Sequence, residues 1–287
     1  MENRMVDSQQ LALTNVVVQY PGTSAPQLTI PSVTAQVGQL IGIIGASRSG
    51  KTTLCRVLAG IIPNIVHGKL TGTVQLGSYQ PVTDWAAYRQ HLGVVFQDPA
   101  GQLSGLSETV ADELAFDLVN QGQSEATIVT RVHEVAQQLG LTAQLSQAPT
   151  ELSGGQLQRL AIGCALITHP QVLVMDDPTS QMDPQGRAAF FKWLRQLTDT
   201  TVLIVSDEID DLCEIADQLW GLADGELVIS GTPRQVINQL VPEWHLPVPV
   251  TTQLAQTMSW RLADQSWPVT LTELKEARYD HVAATQV

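Results

Sequence analysis

The most constraining feature of the sequence is a glycine-containing octapeptide that follows a short apolar segment. Residues 45–52, GASRSGKT, fit the pattern G-x-x-x-x-G-K-[S/T] and lie between the apolar run 39–45 and a segment with helical spacing. Such a loop binds phosphates because its backbone N–H groups converge on anionic oxygens. The sequence therefore predicts a nucleotide site, in which Lys51 reaches the β- and γ-phosphates and Thr52 ligates Mg²⁺. The residues expected to bind the nucleotide are Gly45, Ala46, Ser47, Arg48, Ser49, Gly50, Lys51, Thr52 and Thr53.

Buried-strand patterns recur along the chain and alternate with helical ones. Short apolar runs lie at 92–96, 172–176, 201–206 and 218–222, with helical segments among them. Strands of this kind, alternating with helices, are typical of a parallel sheet in an α/β fold. The uncharged amino-terminal part has β-rich segments separated by turns, whereas the stretch at about 98–169 is helical and acidic. We expect an α/β core with a helical insertion.

The charge balance excludes some classes of protein. Asp and Glu number 28 against 15 Lys and Arg, which gives a net charge of −13. Nucleic-acid binders normally carry a basic face, so none is expected as a partner. Cys55, Cys164 and Cys213 are far apart and form no CxxC pair, which suits a reducing cytosol. No run of 18 apolar residues occurs, so we do not expect the chain to span a membrane by itself.

A carboxylate ends one of the buried strands. Asp176 closes the run 172–176, and a carboxylate in that place can hold the Mg²⁺ of a phosphate-loop site. The alternative is a surface Asp that caps the turn before Pro178. The phosphate loop upstream favours the metal ligand.

A third motif completes a recognisable set. Residues 152–156 read LSGGQ, and together with the phosphate loop, Gln97 and Asp176 they resemble the ATP-binding subunits of ABC transporters over residues 10–240. The resemblance implies a P-loop NTPase fold of the ABC ATPase type, with a RecA-like core sheet, an antiparallel β subdomain and an inserted helical subdomain at about 98–169. The expected ATPase domain is 1–240, and 241–287 is a short C-terminal extension.

The resemblance also assigns roles to single residues. It places Tyr20 against adenine, although a Tyr at a strand end is more often a packing residue, and Gln97 at the Mg²⁺ or the attacking water. The LSGGQ residues would meet the γ-phosphate of ATP bound on the opposite subunit, so that two subunits enclose two nucleotides head to tail. Asp183 would cross the interface between the subunits. The LSGGQ residues concerned are Ser153, Gly154, Gly155 and Gln156.

Within this family the chain is most similar to the energy-coupling factor (ECF) group. The match is carried by Gln102, Thr109, Val110 and Phe116, together with the tail after Val241. It implies three partners: a second ATPase subunit, an integral-membrane coupling protein whose helices sit beside Gln97, and a substrate-capture membrane protein for a vitamin or a metal ion. It also implies a peripheral position on the cytoplasmic face of the cell membrane.

Three residues depart from the family pattern. Asp177 stands where the catalytic Glu is usual, and its carboxylate is withdrawn by about 1.5 Å, the length of one C–C bond. Asp207 stands where a switch His is usual, and an ionised Asp repels a γ-phosphate to which a His can donate. Arg48 replaces a Gly, and its side chain points either to solvent or to the phosphates.

The two acidic replacements predict a dimer whose two ATP sites differ in activity. Both fall on the chain's own site, whereas LSGGQ is intact, so we expect weak or absent ATP turnover here and donation of LSGGQ to an active partner. The rival is a homodimer with two slow sites. A soluble ABC protein of DNA repair or translation is a second function class, and a nonhydrolytic nucleotide-sensing scaffold is a third.

Overall fold

The computed structural model describes residues 10–285. Its strands are β1 (Leu11–Gln19), β2 (Leu28–Ala35), β3 (Leu40–Gly45), β4 (Lys69–Leu76), β5 (Leu92–Val95), β6 (Val172–Asp176), β7 (Thr201–Val205), β8 (Gln218–Ala223) and β9 (Glu226–Gly231). Its helices are α1 (Lys51–Leu58), α2 (Ile61–Asn64), α3 (Trp85–Tyr88), α4 (Val110–Asn120), α5 (Glu125–Gln138), α6 (Gly154–Leu166), α7 (Pro184–Leu194), α8 (Ile209–Ile215), α9 (Pro233–Asn238), α10 (Val250–Met258) and α11 (Leu271–Thr285).

All nine strands form one sheet in the order β4-β1-β2-β9-β8-β3-β7-β6-β5. The pairs among β8, β3, β7, β6 and β5 are parallel, which confirms the expected core. Strand β1 pairs antiparallel with β2 and β4, as the amino-terminal turns predict. Strand β9, which the apolar pattern did not predict, pairs antiparallel with β8 and meets β2 at Thr29 and Glu226.

The central strands are buried on both faces because each contributes to two apolar clusters. In β3, Leu40 and Ile44 belong to a cluster formed with helices α4 to α9, whereas Ile41 and Ile43 belong to a cluster formed with α1 and the antiparallel strands. Cys55 of α1 is fully buried in the second cluster. It is a small core residue, as expected. The central strands therefore pack against helices α4 to α9 on one face and against α1 and the antiparallel strands on the other.

Helices α4, α5 and α6 lie between β5 and β6 in the chain and pack on one another. A Cβ added at Gly163 of α6 would lie 2.7 Å from Leu114 of α4 and 3.3 Å from Val135 of α5. The glycine therefore lets the three helices approach closely. Side-chain caps begin all three helices, at Thr109, Ser124 and Ser153 respectively.

The C-terminal helices α10 and α11 are attached to the core through α8 and α9. Asp210 of α8 accepts hydrogen bonds from the N–H of Val250 at 3.0 and 3.2 Å, and Glu214 accepts one from Leu271 at 2.7 Å. Arg234 of α9 pairs with Glu273 of α11 at 2.5 Å. Over residues 10–285, every helix is too short or too polar to cross a bilayer.

Candidate nucleotide-binding site

The candidate site lies at the carboxyl ends of the parallel strands. Strand β3 ends at the phosphate loop, β6 ends at Asp176, β7 is followed closely by Asp207, and β5 by Gln97. Because these strands are parallel and lie side by side, their carboxyl ends meet at one edge of the sheet, where ligands bind in open α/β folds. The structure thereby brings together four sequence-distant segments.

The phosphate loop turns tightly between β3 and α1. A Cβ added at Gly45 would lie 2.3 Å from the Ser49 hydroxyl oxygen, so only glycine fits there. Gly50 has φ 101° and opens α1 in a left-handed conformation. Arg48 has φ 68°, a conformation that also favours glycine, and its side chain is exposed at the cleft. The backbone therefore explains why a glycine is usual where this chain has Arg48.

Lys51 is one of two cations in the lining of the cleft, with Arg48. Its ammonium donates to the carbonyl oxygens of Gly45 at 2.5 Å and Ala46 at 3.1 Å, and lies 3.9 Å from the Asp207 carboxylate. The Lys51 side chain is 14% exposed and that of Asp207 is 86% exposed. Lys51 is thus held over the loop by backbone carbonyls, with one carboxylate within ion-pair distance.

The oxygen donors beside Lys51 fit a magnesium ion. Asp176 is 6% exposed, and burial raises the pKa of its carboxyl, while the hydrogen bond from Thr52 and the charge of Lys51 oppose that rise. Gln97 lines the same cleft. A carboxylate, a hydroxyl and an amide oxygen form a donor set that Mg²⁺ accepts when phosphate oxygens and water complete the shell.

Asp177 adjoins this set and is held in an unusual conformation. Its φ is 52°, and its carboxylate accepts a hydrogen bond of 3.2 Å from the Gln97 amide. Burial raises the pKa of Asp177, and the negative charges of Asp207 and Asp176 raise it further. The two acidic departures from the family pattern therefore share one cleft and interact electrostatically.

The cleft has a volume of about 570 Å³ and collects most of the residues predicted from the sequence. The predicted residues in its lining are Ser47, Arg48, Gly50, Lys51, Thr52, Thr53, Gln97, Asp176, Asp177 and Asp207. Gly45, Ala46 and Ser49 form the backbone turn behind them, and the Ser49 side chain is buried. A triphosphate would meet the helix N-terminus at Lys51 and the loop N–H groups.

Tyr20 lies outside the lining of this cleft. Its ring packs partly against the second apolar cluster, and its buried hydroxyl has no hydrogen-bond partner among the described residues. The backbone N–H of Tyr20 donates to the side chain of Gln27 at 2.9 Å. Its contact with adenine stays a prediction.

The LSGGQ segment lies apart from the cleft and is well ordered by its own contacts. Ser153 caps α6, because its N–H donates to Gln156 at 2.8 Å and its hydroxyl accepts from the Gln156 N–H at 3.4 Å. A Cβ added at Gly154 would lie 2.8 Å from the amide oxygen of Gln181, and Gly155 lies beside the carbonyl of Gln181. Asp183 is exposed and caps α7 by accepting from Gly186 at 2.6 Å.

Four residues in the cleft lining were not among the predicted site residues, and one of them, Val205, is the last residue of β7. Gln27, Asp224 and Gly225 line the cleft beside the phosphate loop. The N–H of Gly225 donates to the Ser49 carbonyl at 3.2 Å, which joins the turn between β8 and β9 to the loop. The only sequence signal there is the Asp-Gly turn at 224–225, and nothing local shows that it folds against residue 49.

Comparison with known proteins assigns the family. Residues 28–180 match the family model described as ABC transporter. The chain is 38% identical to the energy-coupling factor transporter ATP-binding protein EcfA2 of Lactiplantibacillus plantarum, over 90% of each chain. It is 35% identical to the protein EcfA1 of Levilactobacillus brevis, over 88% of this chain and 89% of that one.

A solved structure shows the same fold. The protein cbiO1 of Clostridium perfringens, described as part of the ABC transporter complex cbiONQ, superposes with a TM-score of 0.71 at 24% identity. The match covers 88% of this chain and 97% of that one, which confirms the ABC ATPase fold predicted from the sequence. This chain belongs to the ABC transporter family, in its group of energy-coupling factor ATP-binding proteins.

Proposed function

We propose that the chain is the ATP-binding subunit of an ECF-type importer, which couples ATP binding and hydrolysis to uptake of a small nutrient such as a vitamin or a metal ion. The observation that carries the proposal is the cleft at the carboxyl edge of the sheet, where Lys51, Thr52, Gln97 and Asp176 converge. The relatives named EcfA1 and EcfA2 support the transport role.

The proposed roles follow the chemistry of each group. The loop N–H groups and Lys51 bind the β- and γ-phosphates, with Thr53 beside them. Thr52, Asp176 and Gln97 hold Mg²⁺, which neutralises charge on the phosphates when bound. Tyr20 meets the adenine. Asp177 stands in the place of the general base, and Gln97, whose amide donates to it at 3.2 Å, would orient the attacking water beside the pair.

The chain's own site is proposed to hydrolyse ATP slowly or not at all. Asp177 reaches one methylene less far than Glu, and a base displaced by that distance costs about a hundredfold in rate. Asp207 adds a carboxylate 3.9 Å from Lys51, so it competes with the nucleotide for the one lysine in the cleft lining. Both effects act at the γ-phosphate end.

The partner's site would use this chain's LSGGQ segment. The capped start of α6 carries Ser153, Gly154, Gly155 and Gln156. The capping box uses the N–H groups of Ser153 and Gln156, whereas those of Gly154 and Gly155 take no part in it and suit a γ-phosphate presented by another subunit. Asp183 is exposed and is proposed to cross the same interface. In a heterodimer with an active second ATPase subunit, the site on this chain's phosphate loop would be impaired and the site on the partner's loop would be competent. We favour this arrangement over a homodimer.

The resemblance implies that the coupling protein binds beside Gln97, which follows the carboxyl end of β5. We propose instead that the membrane partners bind at a second cleft, of about 870 Å³, near the amino end of β5 and the C-terminal end of α4. Arg89 lines one side and Asp117 the other, and the charge of Arg89 partly offsets the raised pKa of Asp117.

On α4, Phe116 is 36% exposed and Val119 is 59% exposed. Neither of these two side chains lines the cleft, whose lining is polar or charged apart from Leu92. A cleft with both charges, next to exposed apolar side chains on the same helix, suits helices of an integral-membrane coupling protein, which itself holds the substrate-capture protein.

These partners place the chain on the cytoplasmic face of the cell membrane as a peripheral subunit. We propose residues 1–240 as the ATPase domain, with the helical subdomain at about 98–169, and residues 241–287 as the C-terminal extension. Helices α10 and α11 support this division because their described attachments to the core run through α8 and α9.

Affinity purification from solubilised membranes tests the proposal. The tagged chain should recover a second ATPase subunit and two integral-membrane proteins, and the isolated chain should bind MgATP. Arg89→Glu should reduce recovery of the coupling protein without changing ATP affinity, whereas Arg195→Glu, an exposed arginine outside the second cleft, should leave recovery unchanged. Recovery of the wild-type chain without membrane proteins would contradict the transport function.

The acidic cleft also favours a second candidate, a nonhydrolytic nucleotide-sensing scaffold. Asp177 and Asp207 are the observations behind it, because both weaken hydrolysis without removing the phosphate loop. A complex that takes up substrate only while hydrolysing ATP would exclude the scaffold. A chain recovered only with soluble proteins would instead favour an ABC protein outside transport.

A further inference from the structure

The loop between β1 and β2 is closed by a single side chain. The Gln27 amide oxygen accepts from the N–H of Tyr20 at 2.9 Å and from the Thr23 hydroxyl at 3.1 Å. The Gln27 amide nitrogen donates to the carbonyl of Ala25 at 2.7 Å. Glutamine supplies both an acceptor and donors at one site, so one residue can bond three points of the loop.

The same residue touches the phosphate end of the cleft with its backbone. Its carbonyl oxygen lies 3.4 Å from the place of a Cβ on Gly50 and 2.8 Å from that on Gly225. The next strand is anchored there too, because the N–H of Thr29 donates to the Gly225 carbonyl at 2.7 Å. Gln27 therefore links the loop that carries Tyr20 to the turn that carries the phosphate-binding N–H groups.

The direction of the Tyr20 ring depends on this link. The Tyr20 hydroxyl has no hydrogen-bond partner among the described residues, so no polar contact at the ring tip orients it. Its orientation is instead fixed by apolar packing and by the backbone at Tyr20, whose N–H is held by Gln27. The Thr23 hydroxyl has one proton, which it shares between the Tyr20 carbonyl at 2.8 Å and the Gln27 amide oxygen at 3.1 Å.

We propose that Gln27 is a positioning residue for adenine recognition, which sets the distance and angle between Tyr20 and the phosphate loop. The proposal rests on the proposed ATP-binding function. It predicts that Gln27 matters for the base of the nucleotide and not for its triphosphate.

Binding of two ligands to the full chain tests the proposal. The probes are MgATP and magnesium tripolyphosphate, which has the phosphates and no base, and the readout is the ratio of their affinities. Gln27→Met keeps the length of the side chain and removes its hydrogen bonds. We expect MgATP affinity to fall about tenfold, which is the size of the net contribution of about one hydrogen bond. The affinity for tripolyphosphate should stay unchanged.

A matched control and a second variant accompany it. The side chain of Gln39 also accepts a hydrogen bond from a backbone N–H, that of Gln36, at 2.8 Å. This turn precedes β3, whereas the phosphate loop follows it, so Gln39→Met should change neither affinity. Thr23→Val, at an exposed position, removes the shared hydrogen bond of the Thr23 hydroxyl and should lower MgATP affinity in the same direction by a smaller factor.

A double-mutant cycle decides whether Gln27 acts through Tyr20. In a Tyr20→Ala background, Gln27→Met should cause no further loss of MgATP affinity. An equal loss for MgATP and tripolyphosphate, or a tenfold loss that persists without Tyr20, would overturn the positioning role. A wild-type chain that binds no MgATP would refute the proposed ATP-binding function. Normal MgATP binding that Gln27→Met does not change would refute only the positioning role of Gln27.

Discussion

The phosphate cleft and the LSGGQ helix differ in how well their local chemistry suits ATP. The cleft lining includes Lys51, Arg48 and the carboxylates of Asp176, Asp177 and Asp207. Burial raises the pKa of Asp177, and the charges of Asp207 and Asp176 raise it further. The start of α6 has a complete capping box and an intact LSGGQ sequence. The two regions therefore differ in the number of carboxylates that line them.

The difference has a simple electrostatic basis. A triphosphate brings several negative charges to the γ-phosphate region, where Asp207 is 86% exposed and lies 3.9 Å from Lys51. Neither α1 nor α6 has an acidic residue in its first turn, so both helix N-termini favour an anion. The difference is that Asp176, Asp177 and Asp207 line the cleft beside α1, where their charges work against Lys51 and the loop N–H groups.

The largest expected effect comes from repairing the cleft. Asp177→Glu combined with Asp207→His should raise ATP turnover of the chain about a hundredfold, because the base regains its reach and the repelling carboxylate is removed. Steady-state release of phosphate measures it. Asp207→His alone should give only a small gain, and a double variant as slow as the wild type would show that other groups limit turnover.

Much of the difference between the cleft and the LSGGQ helix was predictable, because the residues responsible lie in short, continuous sequence motifs. The phosphate loop, the strand ending at Asp176 and the LSGGQ helix each have a local signature, and the two departures are single residues within such signatures. The shared cleft of Asp177 and Asp207 follows from the adjacent positions of β6 and β7 in a parallel sheet.

The remaining features depend on contacts between distant segments. The apolar pattern missed β9, since Leu227 and Val228 are only partly buried and its neighbours include β2, far away in sequence. The left-handed backbone of Asp177 and the hydrogen bonds of Gln27 have no local signature. The attachment of α10 to Asp210, three residues after Asp207, was likewise unpredictable.

A smaller effect should follow from removing one charge. Asp207→Asn should raise MgATP affinity about fivefold, because one unit charge near 4 Å contributes about 1 kcal/mol even at the dielectric constant of water. The gain should shrink in 1 M NaCl, where the screening length falls to about 3 Å. Asp199→Asn, an exposed carboxylate before β7 at the other end of the sheet, should give no gain at either salt concentration.

The smallest effect concerns the LSGGQ helix in the isolated chain. Ser153→Ala removes the cap of α6 and should lower the free energy of unfolding by about 1 kcal/mol, with MgATP affinity unchanged because Ser153 lies outside the cleft. Denaturant unfolding and equilibrium binding measure the two quantities. Ser124→Ala, which removes the cap of α5, should cost a similar amount. A loss of ATP affinity in Ser153→Ala alone would mean that the chain uses its own LSGGQ.

The most direct test of the asymmetry is ATP turnover of the purified complex with one substitution at a time in this chain. Lys51→Met disables the chain's own cleft, and Ser153→Arg blocks the helix that is proposed to serve the partner. If the chain's own cleft is impaired and its LSGGQ segment serves the partner, the complex with Lys51→Met should keep most of its turnover. The complex with Ser153→Arg should then lose nearly all of it. Equal loss in both complexes, or greater loss with Lys51→Met, would contradict the asymmetry.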